Sequence, residues 1–277
     1  MSGSSKPLLK LLVAMGATAG MLSWIPSCRD NNESIFIRQL QLPVAPDCIA
    51  KPDPTSIFIA RGVLDVALSS HYRVIALVGN QMVSRGDYKQ TRSEPNRVLF
   101  KGADVHLLDD KQKEIGFYQV IANGEVDPQT SGDATYGLAA FDLIPPVQGD
   151  KIRAAIIASG GGTVQTYEAR FKVFGTTLGG TEVTTGEYAF AIDTCYGCSI
   201  IYPSDANEPS LPQPNCKKVQ TGGASAATSG PTPACLSGQD GVTDCRSCQG
   251  NPVCAPCRKD ADCSDFAASR CAAGHCT

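Results

Sequence analysis

Ala169-Arg170-Phe171-Lys172-Val173-Phe174 alternates apolar and charged side chains, which sends one set to each face of an extended strand. The same pattern extends outward from it. Ile35-Phe36-Ile37-Arg38-Gln39-Leu40, residues 72–78 (YRVIALV) and residues 104–108 (DVHLL) mix short apolar runs with period-two alternation and are rich in Val, Ile, Tyr and Phe. Turn formers separate them at Asp109-Asp110, Asn123-Gly124, Asp127-Pro128, Ser131-Gly132-Asp133, Gly160-Gly161-Gly162 and Leu178-Gly179-Gly180. About eight to ten strands without helical periodicity between them predict a mainly β fold over residues 34–202, an antiparallel β-sandwich of immunoglobulin-like type. The only tryptophan, Trp24, lies outside this region, so the Cys–Trp–Cys core of antibody domains is lacking.

Bulk composition narrows the function classes. The chain has 277 residues, 18% charged residues and a formal net charge of −3, with no Lys/Arg run, which argues against a nucleic-acid surface. The 27 glycines and 18 prolines favour turns over long helices. Thirteen cysteines are the informative count, because an exported protein pairs so many thiols whereas a cytosolic one commits them to metal.

The first 27 residues read as a signal peptide. Lys6 and Lys10 form a basic start, and residues 11–25 (LLVAMGATAGMLSWI) are apolar and uncharged. Fifteen residues are too few to span a bilayer core of about 30 Å and suit a signal-peptide apolar region. The only Ala-x-Ala site, Ala17–Ala19, falls inside that run. At its end Ile25-Pro26-Ser27-Cys28 resembles the lipobox of bacterial lipoproteins; Ile25 and Ser27 fit, and Pro26 departs from the pattern. The resemblance implies acylation (palmitate-type chains) at Cys28, with residues 28–33 as a tether and the membrane as a partner. Two or more acyl chains hold a protein stably where one does so marginally.

Residues 203–234 change composition. Pro203, Pro209, Pro212, Pro214, Pro231 and Pro233 alternate with Ser, Thr, Gly and Ala, as in a linker. Residues 235–277 hold eight cysteines but only Leu236, Val242, Val253 and Phe266 as larger apolar side chains, too few for a core. A disulfide-rich tail is expected, each bridge contributing about 2–4 kcal/mol. Without Cys28, twelve cysteines remain as disulfide candidates: Cys48, Cys195, Cys198, Cys216, Cys235, Cys245, Cys248, Cys254, Cys257, Cys263, Cys271 and Cys276. They divide into four serving the sandwich and eight in the tail, with Cys216 tying back to the sandwich.

Three CxxC pairs carry alternative chemistry. Cys195/Cys198, Cys245/Cys248 and Cys254/Cys257 could serve a periplasmic thiol-redox or zinc-binding protein. Against zinc, only five residues separate the tail pairs; against redox, Cys195 follows a strand and does not begin a helix. Ser199, Gln249 and Arg258 follow the second cysteines, where covalent haem attachment needs histidine. Asp240, Asp244, Asp260, Asp262 and Asp265 do not fit an EF-hand loop and read as turn residues. No metal or cofactor is expected.

No catalytic motif emerges. His71 beside Ser69 and Ser70, near Asp65, invites a triad reading, but Ser159 lacks the glycine two residues before it that a nucleophile elbow needs. His106 falls in a strand pattern. Phosphate-binding, dinucleotide and HExxH motifs are missing. Arg85-Gly86-Asp87 is read as a turn.

Several stretches together resemble a family of uncharacterised predicted outer-membrane lipoproteins from myxobacteria. They are Val78-Gly79-Asn80-Gln81-Met82, Arg92-x-Glu94-x-Asn96-Arg97 with Gly102-Ala103-Asp104-Val105, and Cys195-x-x-Cys198 leading to Gly238-Gln239-Asp240 and Cys245-x-x-Cys248. The resemblance implies an outer-membrane or surface address and makes Arg92, Glu94 and Arg97 a family feature, as an ion-pair network or a binding face. It implies no activity. The expectation is a non-enzymatic, lipid-anchored envelope module, binding or structural, whose disulfide-stapled tail is presented for contacts with a protein or glycan.

Overall fold

In the computed structural model, which describes residues 34–86, 93–217, 235–266 and 270–277, extended backbone dominates. The signal peptide, Cys28 and the tether lie outside the described residues. In chain order the strands are β1 (Ile35–Gln41), β2 (Phe58–Ile59), β3 (Arg61–Asp65), β4 (Tyr72–Asn80), β5 (Val98–Leu108), β6 (Glu114–Ile121), β7 (Glu125–Val126) and β8 (Thr135–Ile144). Helix α1 (Pro146–Ala158) intervenes, and β9 (Gln165–Thr177), β10 (Glu182–Thr184), β11 (Tyr188–Cys195) and β12 (Ile200–Ile201) follow. The C-terminal region adds β13 (Thr243–Asp244), β14 (Cys271–Ala272) and β15 (His275–Cys276).

Two sheets form the sandwich. The smaller has the order β2-β1-β4-β8, and the larger has β3-β11-β9-β5-β6 with β10 on β9 and β7 on β5. Period-two alternation decides which face is buried: in β9, Tyr167, Ala169, Phe171 and Val173 point inward while Lys172 faces solvent. Phe141 of β8 meets Phe171 edge to face at 5.4 Å, so the two inner faces interdigitate across one continuous core. The mainly β sandwich is as expected. Its pairing is not purely antiparallel, because β3 runs parallel to β11 and β12 parallel to β13.

Helix α1 was not anticipated. Its buried residues Gln148, Gly149, Ile152 and Ile156 have helical spacing, whereas the sequence pattern predicts strands without helical periodicity between them. Pro146 is tolerated in the first turn, where its missing N–H has no helical partner. Gly149 has a different reason: a Cβ there would lie 1.8 Å from the Ser70 carbonyl oxygen. The glycine costs helix propensity of about 1 kcal/mol and lets α1 lie directly against the backbone before β4.

The six disulfides correct the expected division of the cysteines. Cys48 pairs with Cys235 and Cys216 with Cys245, so two bridges leave the tail for earlier parts of the chain. Cys216 therefore binds the tail and not the sandwich strands. Only Cys195–Cys198 is internal to the sandwich, and Cys248–Cys254, Cys257–Cys271 and Cys263–Cys276 are internal to the tail. The reason is packing: Cys245, Val253 and Cys254 are buried in the sandwich core. Cys257, Cys263 and Cys276 form a separate small cluster with Phe266. The described half of the linker-like stretch is a hydrogen-bonded loop. There Asn207 Oδ1 accepts from the Asn215 and Cys216 amides at 2.7 and 3.1 Å.

The two ends of the sandwich differ. Ile35 opens β1 opposite Asn80, and the Asn80 side chain donates to the Asn96 carbonyl at 3.1 Å, joining this end to the start of β5. The other end gathers the turn after β5, helix α1, the start of β9 and the close of β11. Replacing Gly149 with Ala should destabilise the fold by about 1–3 kcal/mol through overpacking against Ser70, read as a lower midpoint in urea; an unchanged midpoint would mean that α1 is not held at this contact.

Candidate functional site

At the end of the sandwich opposite Ile35, an open cleft of about 600 Å³ lies among three elements. From α1 come Gln148, Lys151, Ile152 and Ala155, spaced so that one helical stripe faces the cleft. The β5–β6 turn contributes Asp109 and Asp110, and β6 contributes Ile115. Val164 and the first residues of β9, Gln165, Thr166 and Tyr167, close the third side.

The polar groups here retain bonding capacity. Asp109 Oδ1 accepts from the Lys111 and Lys113 amides, both at 2.9 Å, which folds the turn and leaves Oδ2 without a partner among the described residues. Tyr167 donates its hydroxyl to Gln165 Oε1 at 2.6 Å. Burial, and then the charges of Asp109 and Asp110, push that hydroxyl's pKa up, so it stays a neutral hydrogen-bonding group. Gln148 is only 7% exposed, and its Nε2 makes a long 3.5 Å contact to the Ile115 carbonyl. Neighbouring charges outside the cleft are paired, Arg61 with Asp193 and Arg170 with Glu168. Among the described residues, Asp109, Asp110 and Lys151 enter no ion pair.

The Cys195–Cys198 loop lies at the same end and is held by Asp65. That buried carboxylate accepts from the Gly197 amide at 2.7 Å, the Ala67 amide at 3.1 Å and, on its other oxygen, from the Ser199 amide and hydroxyl at 2.9 Å. Arg153 of α1 sits over the Tyr196 ring at 5.9 Å, which ties the helix to the loop. Thiol exchange is poorly served. Cys198 is exposed, but attack there would expel Cys195 as a thiolate into a buried site beside the Asp65 carboxylate, where burial and like charge both disfavour the anion. Among the described residues, two groups bring three ligand-type side chains within 4.8 Å, Asp65/Cys195/Cys198 and Cys257/Cys263/Cys276. All five cysteines are disulfide-bonded and so offer no thiolate to zinc.

The other sequence candidates are dispersed. Asp65 serves the disulfide loop, so the Ser69–His71 contact of 3.4 Å gains no third member. Exposed His106 stacks on Phe117 at 4.5 Å and contacts Glu114 at 2.6 Å on the outer sheet face. Glu94 accepts from Ser84 and from the Arg85, Gly86 and Asn96 amides, whereas Arg97 pairs with Asp127. Glu94 and Arg97 thus hold separate loops; Arg92 and Asp87 lie outside the described residues. Asp240 accepts from the distant Val63 amide and Tyr72 hydroxyl, whereas Asp244, Asp260 and Asp262 bind nearby backbone, and the four do not converge. No protein-family model matches the chain, and no curated protein matches it significantly.

His275 locks the last strand over the disulfide loop. Its Nδ1 lies 2.9 Å from the Val253 carbonyl and 3.0 Å from the Tyr202 hydroxyl, and its ring fills the space a Cβ on Gly197 would need. Burial lowers its pKa, opposed by the Val253 carbonyl and the Asp65 charge. The folded chain therefore favours neutral imidazole, while an unfolded chain titrates near 6.5. The resulting stability is complete above about pH 6.5, falls as pH drops below it, and levels off below the folded pKa. Denaturant midpoints measured across this window should show that slope, and His275→Gln should flatten it; an identical slope in the variant would remove His275 as its cause.

The disulfide loop gives a second test. Native protein treated with glutathione and a maleimide should leave Cys195 and Cys198 unlabelled, while unfolding in reductant exposes both. Labelling of Cys195 in the native fold would restore the thiol-exchange reading.

Proposed function

We propose that this chain is a non-enzymatic module of the cell envelope, lipid-anchored to the outer membrane through Cys28, that binds its ligand in the cleft bounded by α1. The observation carrying this reading is the placement of the cleft. The segment before Ile35 joins the sandwich at one end, and the cleft opens at the other, separated by roughly 35 Å along the 11 residues of β5. A tether at the first end leaves the second free to meet a partner.

Chemical context supports the same reading. Six disulfides, two of them joining distant parts of the chain, suit an oxidising compartment. No helix among the described residues is long and apolar enough to cross a membrane, so a lipid at Cys28 would supply the attachment. The cleft has an apolar floor and a few convergent polar groups, the usual composition of a small-molecule site. Its charged side chains are not arranged as a nucleophile hydrogen-bonded to a base.

The reading is tested by intact mass of the protein from its native membrane, alongside Cys28→Ser. Cleavage before Cys28, acyl mass on the cysteine and twelve hydrogens lost to six disulfides are expected. Cys28→Ser should move the protein to the soluble fraction. A variant that stays with the membrane would overturn the anchor.

A further inference from the structure

The cleft leaves charges of both signs uncompensated in one concave space. Asp109 and Asp110 stand on the β5–β6 turn and Lys151 on the facing stripe of α1, none in an ion pair among the described residues. Such side chains on an open convex surface are simply solvated. Here they border a cavity whose floor is Ile115, Ile152 and Val164 and whose wall includes Gln148, a residue only 7% exposed. The Tyr167 hydroxyl donates to Gln165, so its oxygen lone pairs are available beside the two carboxylates.

From this arrangement we infer that the cleft binds a zwitterion of amino-acid type with a saturated body. Its ammonium groups engage Asp109 Oδ2 and the Asp110 carboxylate. Its carboxylate engages Lys151, and its methylenes lie on the Ile115–Ile152–Val164 floor. Two acids against one base favour a ligand with one more positive charge than negative, as in a diamino acid. Charge-assisted hydrogen bonds would supply selectivity, and the apolar floor would supply charge-independent binding that discriminates less. The assignment rests on the cleft being the binding site of the module and names the chemistry that it recognises.

Three probes isolate the charges: L-lysine, 1,5-diaminopentane, which lacks the carboxylate, and hexanoate, which lacks the amines. Titration calorimetry on the purified, oxidised protein should show L-lysine binding at least about tenfold tighter than either comparison compound, with affinity falling as salt rises. Amide chemical-shift changes should cluster at residues 109–115, 148–155 and 164–167. Asp110→Asn should remove most of the preference over hexanoate. Lys151→Met should remove most of the preference over 1,5-diaminopentane. Both side chains are exposed, so unchanged thermal melting is expected and separates lost binding from lost fold. Equal affinity for all three probes, shifts confined to another surface, or preference for a neutral disaccharide would overturn the assignment. These outcomes would leave Cys28-dependent membrane attachment untouched; conversely, a membrane-bound Cys28→Ser protein that still prefers L-lysine would overturn the anchor alone.

Discussion

Gln239 and Asp240 make the contact on which the far end of the sandwich depends. The Asp240 carboxylate accepts from the Val63 amide at 2.8 Å and from the Tyr72 hydroxyl at 2.7 Å, and its own amide donates to the Val63 carbonyl at 3.0 Å. Gln239 accepts from the Arg73 amide at 2.8 Å and returns a hydrogen bond to the Arg73 carbonyl. Two adjacent residues thereby satisfy the outer edge of β3 in the larger sheet and the irregular start of β4 in the smaller one. An unpaired strand edge and buried backbone polar groups are both costly. Here a segment 166 to 177 residues further along the chain, covalently secured at Cys48–Cys235 and Cys216–Cys245, offsets both costs.

This clamp also explains the arrangement of the other groups at that end. With β3 and β4 tied together, the Asp65 carboxylate faces the Cys195–Cys198 loop and holds it by three hydrogen bonds, from the Gly197 amide and from the amide and hydroxyl of Ser199. The loop then supports Arg153 of α1 through Tyr196, and α1 lies on Ser70 through Gly149. The cleft is bounded by that helix. The cleft-facing stripe of α1 is thus positioned by contacts whose partners are spread from Asp65 to Asp240. Burial of Asp240 raises its pKa, while the hydrogen bonds from Val63, Tyr72 and Gln239 act in the opposite sense.

Disulfides and core divide the work unevenly. Near the sandwich, Cys245, Val253 and Cys254 belong to the large core, so their bridges reinforce a region that apolar burial already orders. Beyond Cys257 the apolar side chains are few, and Cys257–Cys271 with Cys263–Cys276 holds a segment whose own cluster is small. The C-terminal region is therefore two things physically: a plug built into the sandwich and a covalently stapled knot.

Local pattern alone determined the strand character of Ala169–Phe174 and its neighbours, the turns between them, and the pairing chemistry expected of twelve cysteines. Alternation and turn composition are short-range properties, and a residue's face follows from its position along one strand. Helix α1 escaped because its glycine answers to Ser70, a contact invisible in the stretch that contains it. The split of the cysteines between sandwich and tail escaped for the same reason, since Cys235 and Cys245 answer to Cys48 and Cys216. The cleft was equally illegible: Asp109-Asp110 reads as a turn, Lys151 as a surface lysine and Tyr167 as a strand residue. Only the tertiary structure brings them around one cavity, because their convergence depends on sheet register and helix packing across the fold.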